Sequence, residues 1–276
     1  MAREQFARND DWISSLMAKR LNVLALFAHP DDAEFLCAGT LVLLADRGAT
    51  IHIATLTAGD CGSTTLPASK ISALRRREAA RAARMIGAQY HCLKSKDLLI
   101  FYDRPHLKKV MELVRRTRPS LVLTHSPSDY MIDHETVSRL CQTACFGAMA
   151  PNFKTGVRRP EPPLEAVPHL YYADAFGMRD ILGNKIHSTL AVDISSTLKR
   201  KEEMLACHES QQAWLKTQQE IPETIMTMRN LARQAGKRSG FRWAEGFRQH
   251  LGQGFPSTNL LKELLGPLAR QTALIG

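Results

Sequence analysis

A histidine, a proline and two aspartates in a row, His29-Pro30-Asp31-Asp32, with Glu34 just beyond, concentrate more chemistry than any other stretch of this chain. Asp32 follows His29 by three residues, so a tight turn can aim an imidazole nitrogen and a carboxylate oxygen at one point. Those are two ligands of the nitrogen and oxygen set that zinc accepts, and a catalytic zinc takes a third plus an open position for water. Asp31 lies between them, must point elsewhere, and is free to accept a proton from that water. Taken singly, His29 reads as a turn histidine and Asp32 as a helix cap. Taken together, the four ionisable side chains point to a metal site with its own base.

The elements around this motif must bring in the third ligand. The stretch from Asn22 opens as an apolar run up to His29 that fits a strand covered on both faces, as in a parallel sheet. Ala33 to Arg47 reads as an apolar helix stopped by Gly48. Thr50 to Leu56 is a β-branched second strand, and Thr57 to Ser69 is a loop at its carboxyl end. Lys70 to Ile86 is a helix with Ile71, Leu74, Ala82 and Met85 inward. Its outer face is expected to carry Arg75, Arg76, Arg77, Arg81 and Arg84. Gln89 to Leu93 and Pro119 to Thr124 are the third and fourth strands, with a helix over Pro105 to Arg118 between them. Strand and helix alternating at this pitch argue a parallel α/β sheet with right-handed crossovers.

In the doubly wound order 3-2-1-4-5, strands one and four are neighbours, and ligands sit at the crevice where the order reverses. The loop after strand four, His125 to His134, would then face the His29 loop. His134 is the natural third ligand, at the start of a helix running to about Met149, and Asp133 beside it can hold a ligand ring by a hydrogen bond. Pro151 to Pro168, with five prolines, reads as an extended rim or a subunit contact. His169 to Ala173 and Leu190 to Ile194 are two further strands, and Ser195 to Trp214 and Ile221 to Ala235 two further helices. Loops are expected at Gly236 to Gly240 and Gly252 to Pro256. The reading is one domain over residues 1–276, with a core of about 20–210 and a C-terminal helical elaboration over about 211–276.

Composition narrows the classes. The 276 residues are 44% hydrophobic and 23% charged, ordinary for a soluble globular protein. A net charge of +10 admits nucleic acid or an anionic surface as a partner. The basic residues are spread through helical stretches without an aromatic-interleaved module, so a solvated basic surface is expected and no nucleic acid. Six cysteines without a CxxC pair read as reduced thiols, which points to the cytoplasm, with Cys141 and Cys145 as small buried residues. Residues 1–20 lack the apolar core of a secretory signal, and no run is long enough to span a membrane.

Ala28-His29-Pro30-Asp31-Asp32 with Glu34 resembles the AHPDD(x)E signature of the PIG-L or LmbE-like deacetylases. The resemblance continues through Arg75-x-x-Glu78, the Asp133-His134 pair and Tyr171-Tyr172, and covers about Asn22 to His208. It implies a Rossmann-like fold and zinc-dependent removal of an N-acetyl group, often from a glucosamine derivative. Carried onto this chain, it makes His29, Asp32 and His134 the zinc ligands and Asp31 the general base. Arg75 and Asp97 match positions that hold hydroxyl or anionic groups of the substrate. The implied partner is a small N-acetylated molecule, a sugar derivative, and a homo-oligomer is compatible with the pattern.

One residue departs from the family. Its second motif is usually HxDH, whose first histidine helps stabilise the tetrahedral intermediate, but here Met131 stands in that place. A thioether donates no hydrogen bond. Tyr130, His125 or His208 are the candidate replacement donors, His208 standing also with Arg75 and Asp97 as a substrate contact. The same two histidines and a carboxylate would also suit a non-haem Fe(II) oxygenase, with iron in place of zinc. A metal-bearing binding protein without catalysis is the third reading, against which the unligated Asp31 argues.

Overall fold

The computed structural model describes residues 21–218 and 223–272. Its centre is strand β1 (Asn22–Phe27), whose residues Val23 to Phe27 are all fully buried. Alternate side chains feed two apolar layers. Val23, Ala25 and Phe27 pack with Leu41, Val42 and Ile53 on one face, and Leu24 and Leu26 pack with Val110, Val114 and Leu140 on the other. A strand that must be apolar on both sides carries no alternation, which is why it reads as a continuous run.

Eight strands form one sheet in the order β3-β2-β1-β4-β5-β7-β6-β8. The first five, β1 with β2 (Thr50–Thr57), β3 (Gln89–Ser95), β4 (Leu121–Thr124) and β5 (His169–Ala173), pair in parallel, in the 3-2-1-4-5 order expected. Strands β6 (Leu190–Asp193), β7 (Ala244–Gln249) and β8 (Ala269–Gln271) add an antiparallel half. The fold is thus α/β, Rossmann-like and mainly parallel around β1, with helices on both faces.

Helix boundaries differ from the sequence expectation where the chain must turn at the site. The expected Ala33–Arg47 helix is two helices, α1 (Asp32–Leu36) and α2 (Ala38–Asp46), broken at Cys37. Helices α3 (Ala68–Arg84), α4 (Arg104–Thr117) and α5 (Ile132–Gly147) follow as the crossovers of the parallel half. The expected Ser195–Trp214 helix is likewise divided into α6 (Leu198–Ala206) and α7 (Glu209–Gln218), with Cys207 and His208 at the break. Helix α8 spans Thr224–Ser239; the expected start at Ile221 and the reading of residues 1–20 lie outside the described residues.

The C-terminal part carries helices α7, α8 and α9 (Leu260–Leu265), and the tail read as loops also contains β7 and β8. Ala244-Glu245-Gly246-Phe247-Arg248-Gln249 has little β-branched character; its place between β5 and β6 makes it a strand. Tertiary pairing overrides weak local preference here. Residues 151–168 form no helix or strand, and Arg115 and Glu112 of α4 tie the connection down. Arg115 donates to the carbonyls of Ala148, Ala150 and Phe153, and Glu112 accepts from Thr155 and Glu161. No helix among the described residues is long and apolar enough to cross a membrane.

Candidate metal centre

The loops after β1 and β4 meet across the crevice at the point where strand order reverses. His29 Nδ1 lies 3.4 Å from Asp32 Oδ2, and His134 Nε2 lies 3.6 Å from Asp32 Oδ1. One ligand-grade atom from each of the three lies within 4.8 Å of the others. The outer nitrogen of each ring is anchored from behind. His29 Nε2 is 3.2 Å from Asp133 Oδ2, which also accepts the Leu98 amide at 2.8 Å. His134 Nδ1 is 2.9 Å from Asp129 Oδ1. Carboxylates behind both imidazoles fix which nitrogen faces the centre, an arrangement characteristic of metal-binding histidines.

Charge makes the same case. Burial alone would lower the pKa of His29, but its hydrogen bonds to Asp133 and Asp32 override this and raise it to about 10. Burial would raise Asp32, yet the charges of His134 and His125 hold it well below the usual carboxylate range. The carboxylates at this centre therefore demand a cation. A proton on His29 supplies one, and a divalent ion would supply it by displacing that proton. The donor set, two nitrogens and a carboxylate, fits zinc and also fits iron.

Asp31 stands beside these groups in an unusual backbone state. It precedes α1 with φ 102° and ψ −26°, in the left-handed region that non-glycine residues rarely occupy. Its carboxylate is turned to Arg75, whose Nη2 donates to Asp31 Oδ2 at 3.3 Å and to the Pro30 carbonyl at 2.6 Å. Burial raises the Asp31 pKa to about 6, with Arg75 opposing the shift. Arg75 reaches this loop through a gap left by two glycines: a Cβ at Gly59 or Gly62 would collide with the guanidinium. The expectation that Arg75 shares the outer face of its helix with Arg76, Arg77, Arg81 and Arg84 is therefore corrected. Arg75 is 4% exposed, because its interior partners compensate its charge. Glu78, one turn on, is also buried and accepts from the amide and hydroxyl of Ser210.

The other sequence candidates divide between the cleft and its foundations. Asp97 lines the cleft, accepts the Cys61 amide through Oδ2 at 2.8 Å, and leaves Oδ1 buried with no partner among the described residues. Tyr130 lines it too, edge-on to His134. Burial and the charge of Asp32 push its phenol up, so it stays a neutral donor. Met131 takes its place on the wall.

His125 is placed beneath the cleft and is fully buried. Its ring stacks on His134 at 3.9 Å, and its Nε2 lies 3.0 Å from the Ala28 amide and 3.1 Å from Asp32 Oδ2. Burial and the neighbouring His134 push its pKa down to about 4, against the pull of Asp32. His208 is buried behind Glu34, its Nε2 3.4 Å from Glu34 Oε2. Burial would lower its pKa, and Glu34 and Asp31 raise it on balance. Neither imidazole faces the cleft as a free donor. Asp129 went unnoticed in the sequence. Its only signal is an aspartate five residues before a candidate ligand histidine, a spacing that means little until a turn closes it.

A parallel α/β crevice carrying two anchored histidines, a shared carboxylate and a free one is a candidate metal centre. Residues 24–145 match the PIG-L family model, described as GlcNAc-PI de-N-acetylase. The chain is 28% identical over 270 residues to a diacetylchitobiose deacetylase of Thermococcus kodakarensis, covering 90% of this chain and 94% of that protein. The structure of an N,N'-diacetylchitobiose deacetylase from Pyrococcus horikoshii superposes with a TM-score of 0.69 at 23% identity, covering 87% of this chain and 88% of that one. The structure of a 4-carboxy-2-hydroxymuconate hydratase from Pseudomonas putida superposes equally well, with a TM-score of 0.69 at 22% identity, covering 87% of this chain and all of that one. The shared fold therefore houses more than one reaction, and the site must choose between them.

Proposed function

We propose that this chain is a zinc-dependent N-deacetylase that hydrolyses the acetamido group of an amino-sugar-type substrate. The observation that carries the reading is Asp31. A carboxylate held in a strained backbone state beside a candidate metal centre, and not needed as its ligand, is placed to move a proton. His29, Asp32 and His134 would hold the ion, with Asp133 and Asp129 fixing the two rings. A bound zinc supplies Lewis acidity and lowers the pKa of coordinated water to about 7.

Asp31 orients the attacking water and takes one of its protons as the oxygen bonds to the acetyl carbon. It returns that proton to the amine nitrogen as the carbon–nitrogen bond breaks, releasing acetate and a free amine. Tyr130 is the hydrogen-bond donor on the cleft wall nearest His134 and serves the carbonyl oxygen in place of the absent histidine. Asp97 Oδ1, buried and unpaired, accepts a substrate hydroxyl. Arg75 works through Asp31 and Pro30, holding the base loop.

A hydratase reading is supported by one relative, but the cleft lining argues against it. Arg75 is the only guanidinium there among the described residues, it is already paired with Asp31, and no lysine joins it. A substrate bearing carboxylates would face Asp31, Asp32 and Asp97 with little compensation. The test is acetate release from a panel of N-acetylated sugars, with metal content measured alongside. Zinc should restore activity to chelated protein, and Asp31→Asn should keep the metal while losing about a thousandfold in kcat. Full activity in Asp31→Asn removes the proposed base.

A further inference from the structure

The cleft has an outer half that acetyl hydrolysis leaves unexplained. From His134 a chain of rings leads away from the candidate metal centre. Tyr130 stands edge-on to His134 at 5.3 Å between centroids, Phe176 follows Tyr130 at 5.8 Å, and Phe35 meets Phe176 edge-on at 5.9 Å. Leu36, Trp214 and Leu215 extend the same wall. Tyr130 is 46% exposed, and Phe35, Phe176 and Trp214 are half-buried. None of these four aromatic residues belongs to a core cluster, so the packing of the sheet does not account for them.

The described lining offers an anionic occupant no free cation in that half. Among the described residues, Arg75 is the only lysine or arginine lining the cleft, and its guanidinium is spent on the Asp31 loop. Half-buried rings flanked by Leu36 and Leu215 gain most from aliphatic or aromatic surface. A second sugar would stack on one ring but bring hydroxyl groups against leucine side chains that offer no partner.

Building on the N-deacetylase reading, we infer that the cleft takes an uncharged N-acetylated amino sugar bearing an apolar aglycone, an alkyl or aryl group lying along Phe35, Phe176 and Trp214. The sugar occupies the polar half, between Asp97 and the candidate metal centre. The aglycone occupies the aromatic half and excludes water from it.

The experiment compares acetate release by the zinc-loaded full chain from methyl and hexyl N-acetylglucosaminides, N-acetylglucosamine 6-phosphate and N,N'-diacetylchitobiose. The hexyl compound should exceed the methyl one by about tenfold or more in kcat/KM, from apolar area removed from water. It should also exceed the phosphate and the disaccharide. Phe176→Ser and Trp214→Ala should each shrink the hexyl-to-methyl ratio. Equal rates for hexyl and methyl, or a preference for the phosphate or the disaccharide, overturns the inference. Should no compound release acetate, the deacetylase reading fails by itself, and calorimetric binding of the same two glycosides to Asp31→Asn decides the subsite. Tighter hexyl binding by the same factor sustains it; equal affinity removes it.

Discussion

The two halves of the sheet do different work. In the parallel half, β1 and β4 end side by side, and their loops deliver His29, Asp31, Asp32 and His134 to one crevice. In the antiparallel half, β7 delivers Glu245 to the underside of the same region. Glu245 accepts the Gly39 and Thr40 amides at 2.8 and 2.7 Å and pairs with Lys201 Nζ at 2.5 Å, while Lys201 also donates to the Phe35 carbonyl. One half presents groups to the cleft, and the other holds the backbone that presents them. Both sets are buried and charged, so burial and charge alone do not mark a functional site. What separates them is satisfaction: the Lys201–Glu245 pair has fixed partners, whereas the crevice keeps an excess of carboxylate.

That contrast can be broken at either end. The largest effect is expected at the crevice, where His134→Ala should abolish both stoichiometric zinc binding and turnover while the thermal midpoint of the chelated protein moves little. Metal analysis of the purified variant checks this. Next comes the brace. Glu245→Gln leaves the Lys201 ammonium buried without its counter-charge, at a cost on the order of 3 kcal/mol in stability by urea unfolding. Its kcat/KM at low temperature should fall less than tenfold, the reverse of the His134 pattern.

A smaller change sharpens the crevice itself. Met131→His puts a donor back on the wall and should raise kcat by about tenfold, since a lost oxyanion donor costs on the order of 3 kcal/mol elsewhere and Tyr130 covers part of it. No gain would mean that Tyr130 already supplies the whole effect. The smallest effect lies away from both regions, at the His52–His91 pair, whose ring nitrogens are 3.1 Å apart. Burial lowers both pKa values, and for His91 the charges of His52 and Arg116 lower it further. The unfolded chain therefore binds more protons there, so stability present above about pH 6.5 is lost as pH falls through that value. The thermal midpoint should drop less between pH 7 and pH 5 in His91→Gln than in the unaltered chain.

How much of this was legible in the sequence follows the same division. The parallel half announces itself, because doubly buried strands are continuous apolar runs and the crossover helices repeat at regular intervals. The crevice was legible once strand order put the β4 loop opposite His29. The brace was not, because Glu245 sits in a segment with a glycine, an arginine and a glutamine, and its partners Gly39 and Lys201 are far away in the chain. Arg75 was misread as surface because its neighbours Arg76 and Arg77 suggest a solvated face, while the space that admits it comes from the absent side chains of Gly59 and Gly62. His125 and His208 could be named but not located, since depth below a cleft leaves no trace in spacing.

The left-handed turn at Asp31 sets a trap for anyone improving this protein by selecting for robustness alone. Glycine at that position would relax the backbone but strip the buried Arg75 guanidinium of its carboxylate partner, so a screen on folding yield reads two opposed effects and not the loss of the base. Such a clone, whatever its yield, would be silent on every acetamide offered to it.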